Sequence, residues 1–182
     1  MFRFLHAIPS NQVKGGSSTD ARETLDTLMV QHGSRLLRLC AMNLRDASLA
    51  QDAVQDTFLK AFQQFHRFRG DADPLTWLTA IAINVCRDYR RTTWFRHVDR
   101  HVEADDLPRA ADFDYPDNTV IRAVTALPPR YREVILLRYY QNMKQKEVAA
   151  VLGISERAVR QRLKKANQIL REELKEWYED EG

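Results

Sequence analysis

At 182 residues the chain can form two small domains with modest cores, and a formal net charge of +3 is too little to hold nucleic acid by bulk charge alone. No apolar run is long enough to span a membrane, and the apolar part of MFRFLHAIP is too short and interrupted for a signal peptide, so a cytoplasmic location without membrane insertion is expected. The two cysteines, Cys40 and Cys86, lie far apart in apolar helical patterns without metal-ligand spacing, which favours reduced, buried thiols over a disulfide.

Residues 1–19, with GGSS near their end, read as a disordered tail. A first helix is expected from Asp20 to Leu44, burying Leu25, Leu28, Leu36, Leu39 and Cys40, with Gly33 as the point where it would bend or split. A second begins at Ser48, where Ser48 and Gln51 have capping-box spacing, and runs to about Phe65. After a loop, Asp73-Pro74 supplies an N-cap followed by proline at the first helical position, and a third helix extends to about Thr92. Residues 94–118 are acidic, proline-containing and aperiodic, as expected of an interdomain linker. Helical periodicity resumes near Thr119, and Pro128-Pro129 starts another helix with a buried stripe at Val134, Leu137 and Tyr140. The expected fold is all-α: two small helical domains, residues 20–93 and 119–182, joined by a flexible acidic linker.

The stretch KQKEVAAVLGISERAVRQRLKKANQIL carries the sharpest signal. It reads as a short helix from Gln145 to Leu152, a turn at Gly153-Ile154, and a second helix capped by Ser155, which is a helix-turn-helix. At about 100° per residue, Val159, Leu163, Ala166 and Leu170 form one side of the second helix, continued by Leu174 and Trp177. Arg157, Arg160, Gln161, Lys164 and Gln168 form the other. A solvated helix usually mixes both charge signs, whereas this face holds cations and amides and no acid. Arg can grip guanine edges, Gln adenine edges, and Lys a phosphate. The face is suited to reading duplex DNA in the major groove.

Two further faces are less specific. On the second helix Asp52, Gln55, Asp56, Leu59 and Gln63 group opposite an apolar side of Ala50, Val54, Phe58, Ala61 and Phe65. Periodicity alone favours solvated surface there, although one apolar anchor inside a polar rim also suits a protein contact. The third helix is expected to bury Leu78, Ile81, Ala82, Val85 and Tyr89 and to face Thr76, Ala80, Ile83, Asn84, Arg87, Arg90 and Arg91 outward. Trp77 lies on its flank, with Phe65, Phe68 and Arg69 near the preceding loop. Rings that stack on bases beside cations that track phosphates suit unpaired strands, while Trp77 serves equally well as packing. His97 and His101, four apart beside Asp99 and Glu103, have the spacing of a helical metal site, but they fall in the aperiodic stretch. No phosphate loop or nucleophile–base arrangement is present, so neither a catalytic residue, a metal nor a cofactor is expected.

The segment AQDAVQDTFLKAF (Ala50 to Phe62), followed by WLTAIAINVCRDYRR (Trp77 to Arg91), resembles the second region of bacterial RNA polymerase sigma factors. ALPPRYREVILLRYYQNMKQKEVAAVLGISERAVRQRLKKA (Ala126 to Ala166) is similar to their fourth region, and the layout without a middle domain resembles the extracytoplasmic-function group. The resemblance spans about residues 22 to 175 and implies a promoter-specificity subunit without covalent chemistry. It implies core RNA polymerase as partner, through its clamp helices and flap, with Asp52, Gln55, Asp56 and Leu59 docking on the clamp helices. It implies recognition of the promoter −10 element by Arg69, Trp77, Asn84, Arg87, Arg90 and Arg91. The −35 element would be read by Ser155, Arg157, Arg160, Gln161 and Lys164. An anti-sigma factor is a further implied partner, and the acidic linker would thread the polymerase toward the RNA path. Lys144 stands where a capping Ser or Thr often begins the first helix of the motif, leaving Asn142 as an alternative cap; Asp56 replaces a glutamate, and Leu75 an aromatic residue. An ordinary helix-turn-helix regulator accounts equally for the C-terminal half but leaves the Asp52/Gln55/Asp56 strip and the Asn84/Arg87 face without a role.

Overall fold

Residues 18–68, 73–92 and 119–175 of the computed structural model are described, and every regular element among them is helical. In chain order these are α1 (Ser18–Leu44), α2 (Ala47–Gln64), a 3₁₀ turn (Phe65–Arg67), α3 (Pro74–Arg91), α4 (Thr119–Ala126), α5 (Pro129–Ile135), a π-helical segment (Leu136–Tyr140), α6 (Gln145–Leu152) and α7 (Glu156–Glu173). The first three helices pack on one another, as do α4 to α7, and the two groups meet along α1 and α3. Residues 1–17 of the expected tail, the linker with His97 and His101, the loop residue Arg69, and Trp177 lie outside the described residues, whereas Ser18 and Thr19, expected in that tail, already form the first turn of α1.

Capping explains several of the helix ends. Asp73 accepts from the Thr76 amide at 3.1 Å with Pro74 in the first turn, as its sequence implies. Gly153 ends α6 at φ 67°, a left-handed geometry that a Cβ disfavours, and Ser155 opens α7 by accepting from the Ala158 amide at 3.1 Å. Replacing Ser155 by alanine is expected to cost about 1 kcal/mol, read as a lower denaturant midpoint at unchanged slope.

One start differs from expectation, and one open choice of cap is resolved. Helix α2 begins at Ala47, because Asp46 rather than Ser48 takes the cap and accepts from the Leu49 amide at 2.7 Å. The carboxylate comes first along the chain and is a cap of equal rank. Lys144, not Asn142, precedes α6, and the Glu147 carboxylate accepts from the Lys144 amide at 2.6 Å. Asn142 has a left-handed φ of 55° and belongs to the preceding turn.

Helix α1 passes through Gly33 without a break. A Cβ there would meet only Met29 Cγ at 3.9 Å, an ordinary contact. Gly33→Ala is therefore expected to stabilise the chain by roughly 0.5–1 kcal/mol, visible as a raised Tm.

The N-terminal core joins Leu36, Leu39 and Leu44 of α1 to Leu78 and Val85 of α3, with Ala50, Ala53 and Ala61 letting α2 approach closely. Leu25, Leu28 and Cys40 are buried as periodicity indicates. Cys40 and Cys86 are free thiols that meet in this core. Hydrogen bonding to Cys86, together with burial, holds the Cys40 thiol well above its ordinary pKa and keeps it neutral. The C-terminal core is built from Val134, Leu137, Val148, Val159 and Ala166. The π segment, closed by the Gln141 amide donating to the Leu136 carbonyl at 2.9 Å, was not legible in the sequence. Six consecutive residues, Arg132 to Leu137, are buried where the chain enters this segment, and Tyr140 is left half-buried at the edge of α1.

Candidate nucleic-acid and polymerase interfaces

Helix α7 sorts its faces as its periodicity requires. Val159, Leu163, Ala166 and Leu174 are buried and Leu170 is half-buried against the rest of the C-terminal group. Arg157, Arg160, Gln161 and Lys164 are exposed in one row, and none makes a hydrogen bond or ion pair to a described residue. Their donors are therefore available to base edges and phosphates. Ser155 is exposed at the head of the row, its oxygen engaged as the cap. The buried stripe fixes the rotation of the helix, so the cationic row cannot turn inward without unpacking Val159 and Leu163.

The α2 strip is also formed. Asp52, Gln55 and Leu59 are exposed, Leu59 at 55 %. Asp56 is half-buried and accepts from the Tyr89 hydroxyl at 3.0 Å, tying the strip to α3. Burial foremost, then the bond to Asp56 and the charges of Asp56 and Asp52, push Tyr89 up to about 12, so it remains a donor throughout the neutral range. Phe62, which sequence reasoning did not single out, is 47 % exposed one turn beyond Leu59. With Leu25, Met29 and Phe58 these two side chains line an apolar groove between α1 and α2. The signal was present as the i, i+3 spacing of Leu59 and Phe62, hidden by the larger buried stripe beside it.

The α3 face is the one most altered by tertiary packing. Asn84 and Arg91 are exposed, Arg91 lying 3.7 Å from Asp88. Trp77 is only 7 % exposed, stacked on Phe68 with ring centroids 4.6 Å apart and edge-on to Phe65 at 6.3 Å. In this structure its ring packs the helix and loop and presents no free face. Ile83, expected outward, is fully buried. Arg87 and Arg90 share its stripe (i, i+4, i+7) and converge on Glu133 of α5. Arg87 forks onto the carboxylate through Nε and Nη2, at 3.2 and 2.8 Å, and donates from Nη1 to the Leu152 carbonyl at 3.5 Å. Arg90 donates to Glu133 Oε1 and to Asn43 Oδ1. A second bridge lies alongside: Arg35 donates to the Tyr140 carbonyl at 2.7 Å, its guanidinium 5.8 Å from that ring's centroid. Neither Glu133, Asn43 nor Arg35 was legible as a partner, since each is paired across a long sequence separation.

Among the described residues no cluster of three or more His, Cys, Asp or Glu could hold a metal, and no helix is long and apolar enough to cross a membrane.

The Sigma-70 region 2 family matches residues 28–96, and the Sigma-70 region 4 family matches residues 117–168. Among curated proteins, the RNA polymerase sigma factor CarQ of Myxococcus xanthus is 32 % identical over 162 residues, covering 86 % of this chain and 92 % of that protein. The ECF RNA polymerase sigma factor SigL of Mycobacterium tuberculosis is 30 % identical over 171 residues, covering 91 % and 96 %. The probable sigma factor RfaY of Xanthomonas campestris is 33 % identical over 142 residues, covering 71 % of this chain, which spans only 35 % of that protein's length. In three dimensions the chain is similar to CnrH, solved in complex with the cytosolic domain of CnrY (TM-score 0.64, 28 % identity, 87 % and 94 % covered). It shares the fold of RpoE from Bartonella quintana, solved with the anti-sigma factor NepR (TM-score 0.65, 23 % identity, 86 % and 98 % covered). With both regions matched and relatives aligned over most of their length, the chain belongs to the RNA polymerase sigma factors of the extracytoplasmic-function (ECF) group, the promoter-specificity subunits of bacterial RNA polymerase.

Proposed function

We propose that three surfaces divide the work of promoter recognition. Asp52, Gln55, Asp56 and Leu59, with Phe62 and the groove behind them, dock on the clamp helices of core polymerase; the C-terminal group engages the flap. Asn84, Arg87, Arg90 and Arg91, with Arg69 from the preceding loop, hold the non-template strand of the −10 element. Trp77 shapes this surface from beneath unless the loop opens to free its ring. Arg157, Arg160, Gln161 and Lys164 read the −35 duplex, with the Ser155 hydroxyl at the helix start facing a phosphate. The working division is residues 20–93 for polymerase and −10 contacts, 94–118 as acidic connector, and 119–182 for the −35 contact. The role is recognition and strand capture, with no bond made or broken by the chain and no cofactor. Both of these structural neighbours were solved in complex with another protein, one of them a named anti-sigma factor, which supports an anti-sigma factor as the regulatory partner of this chain.

The observation that carries this reading is the acid-free, unpartnered row on α7 coexisting with an apolar-centred polar strip on α2. One row suits DNA and the other a protein; held on one polymerase, the −10 and −35 surfaces act together, so two modest DNA affinities multiply into selectivity. Run-off transcription by core polymerase on a promoter library, with and without the chain, tests it. New start sites sharing two spaced motifs are expected; identical start sites in both reactions would refute it.

A further inference from the structure

The side chains that pin the two helical groups together are the same ones that the preceding reading assigns to the melted strand. Glu133 is only 4 % exposed and receives both Arg87 and Arg90. A carboxylate gripped by a guanidinium fork has the geometry of a phosphate in the same grip. Its surroundings are strongly cationic: burial foremost, then the charges of Arg90 and Arg45, lowers the buried Arg132 guanidinium to about 10. Glu133 thus binds Arg87 and Arg90 directly, and its charge also acts on Arg132, which the charges of Arg90 and Arg45 oppose. The contact is also imperfectly satisfied, because Asn43 Nδ2 and Arg132 Nε are buried without a hydrogen-bond partner. Such groups regain water when the surfaces part, which lowers the cost of opening the contact. The α7 row stays exposed in the same arrangement.

We propose that Glu133 is an intramolecular latch that occupies Arg87 and Arg90 in place of a strand phosphate, closing the −10 surface of the free chain while leaving the −35 surface open. The latch rests on the reading of α3 as the melted-strand surface and adds its regulation. Strand binding requires Glu133 to leave, so the free chain is a poor single-strand binder, and whatever separates the helical groups activates it. The binding-competent fraction sets the apparent affinity; with roughly nine chains in ten closed, opening yields about a tenfold gain.

The test uses the full chain, a short labelled single strand of mixed sequence, and a labelled duplex of mixed sequence, both read by anisotropy, with X-ray scattering for size. Glu133→Gln is expected to swell the chain and tighten single-strand binding about tenfold, with duplex binding unchanged. Adding Arg87→Ala and Arg90→Ala to it removes the gain. Arg35→Ala weakens the neighbouring bridge without touching Glu133 and is the second variant. It removes a positive charge, so a general charge effect would weaken binding, whereas the latch requires a gain. Swelling without tighter single-strand binding, or equal gains on duplex and single strand, overturns the latch. Unchanged size and affinity in both variants overturns it too. Failure of the α3 reading has a separate signature: holoenzyme carrying Arg87→Ala and Arg90→Ala then transcribes like wild type, whatever Glu133→Gln does to the free chain.

Discussion

Leu59→Asp is expected to abolish transcription by preventing assembly with core polymerase, while the chain stays folded. Leu59 is more than half exposed, so the substitution removes little core contact, and surface changes of this kind usually alter stability by under about 0.5 kcal/mol. In the docked state proposed for α2 the same side chain is the apolar anchor between Asp52, Gln55 and Asp56. Truncating an anchor of this kind typically costs about 2 kcal/mol or more, and a carboxylate in its place adds the desolvation of an unpaired charge. A loss of at least roughly thirtyfold in affinity follows, measurable by competition for core polymerase with an unmodified, labelled chain. Phe62→Ala should weaken assembly in the same direction because it lines the same groove. Wild-type competition by Leu59→Asp, with normal helicity, would move the polymerase contact away from α2.

The second large effect is on α7. Arg160→Ala is expected to reduce transcription from a cognate promoter by roughly 1–3 kcal/mol of recognition and to relax base choice at one position of the −35 element. The side chain is exposed, central in the row, and unengaged by any described residue, so nothing in the fold compensates for or depends on it. Lys164→Ala supplies the contrast. A lysine that meets a phosphate contributes affinity but no sequence information, so its loss should weaken binding evenly across sequences and flatten the salt dependence by about one unit of slope. Run-off transcription on templates randomised through the −35 element, at two salt concentrations, separates the two. If both variants lost affinity evenly and neither altered base choice, α7 would be a phosphate-binding helix and not the reader.

Much of this molecule is written in local patterns. The helix starts at Asp73-Pro74, Pro129 and Ser155, and the left-handed stop at Gly153, follow from side chains that cap or break a helix within one turn. The rotation of α7 follows from Val159, Leu163 and Ala166 recurring at helical spacing, and its cationic row is what remains on the other side. Asp46 displacing Ser48 shows the resolution of such reading: two capping residues of similar strength stood two positions apart, and pattern alone did not rank them.

The α3 face needed more than pattern. Periodicity reports that Ile83, Arg87 and Arg90 share a stripe, but not what meets it. A stripe of one isoleucine and two arginines has the same spacing whether it faces water, a nucleic-acid strand, or a second helical group bearing a carboxylate. Glu133 reaches Arg87 across 46 residues of chain, a pairing that depends on how two packed bodies meet and on no local preference. The same holds for Tyr89 with Asp56 and for Trp77 under Phe68. Helical character, several helix ends and the cationic face of α7 were determined by the sequence itself, because those energies are settled within a turn or two. Which cations are free and which are occupied was decided only by tertiary structure, because the burial of a charge depends on the partner that arrives from elsewhere in the chain.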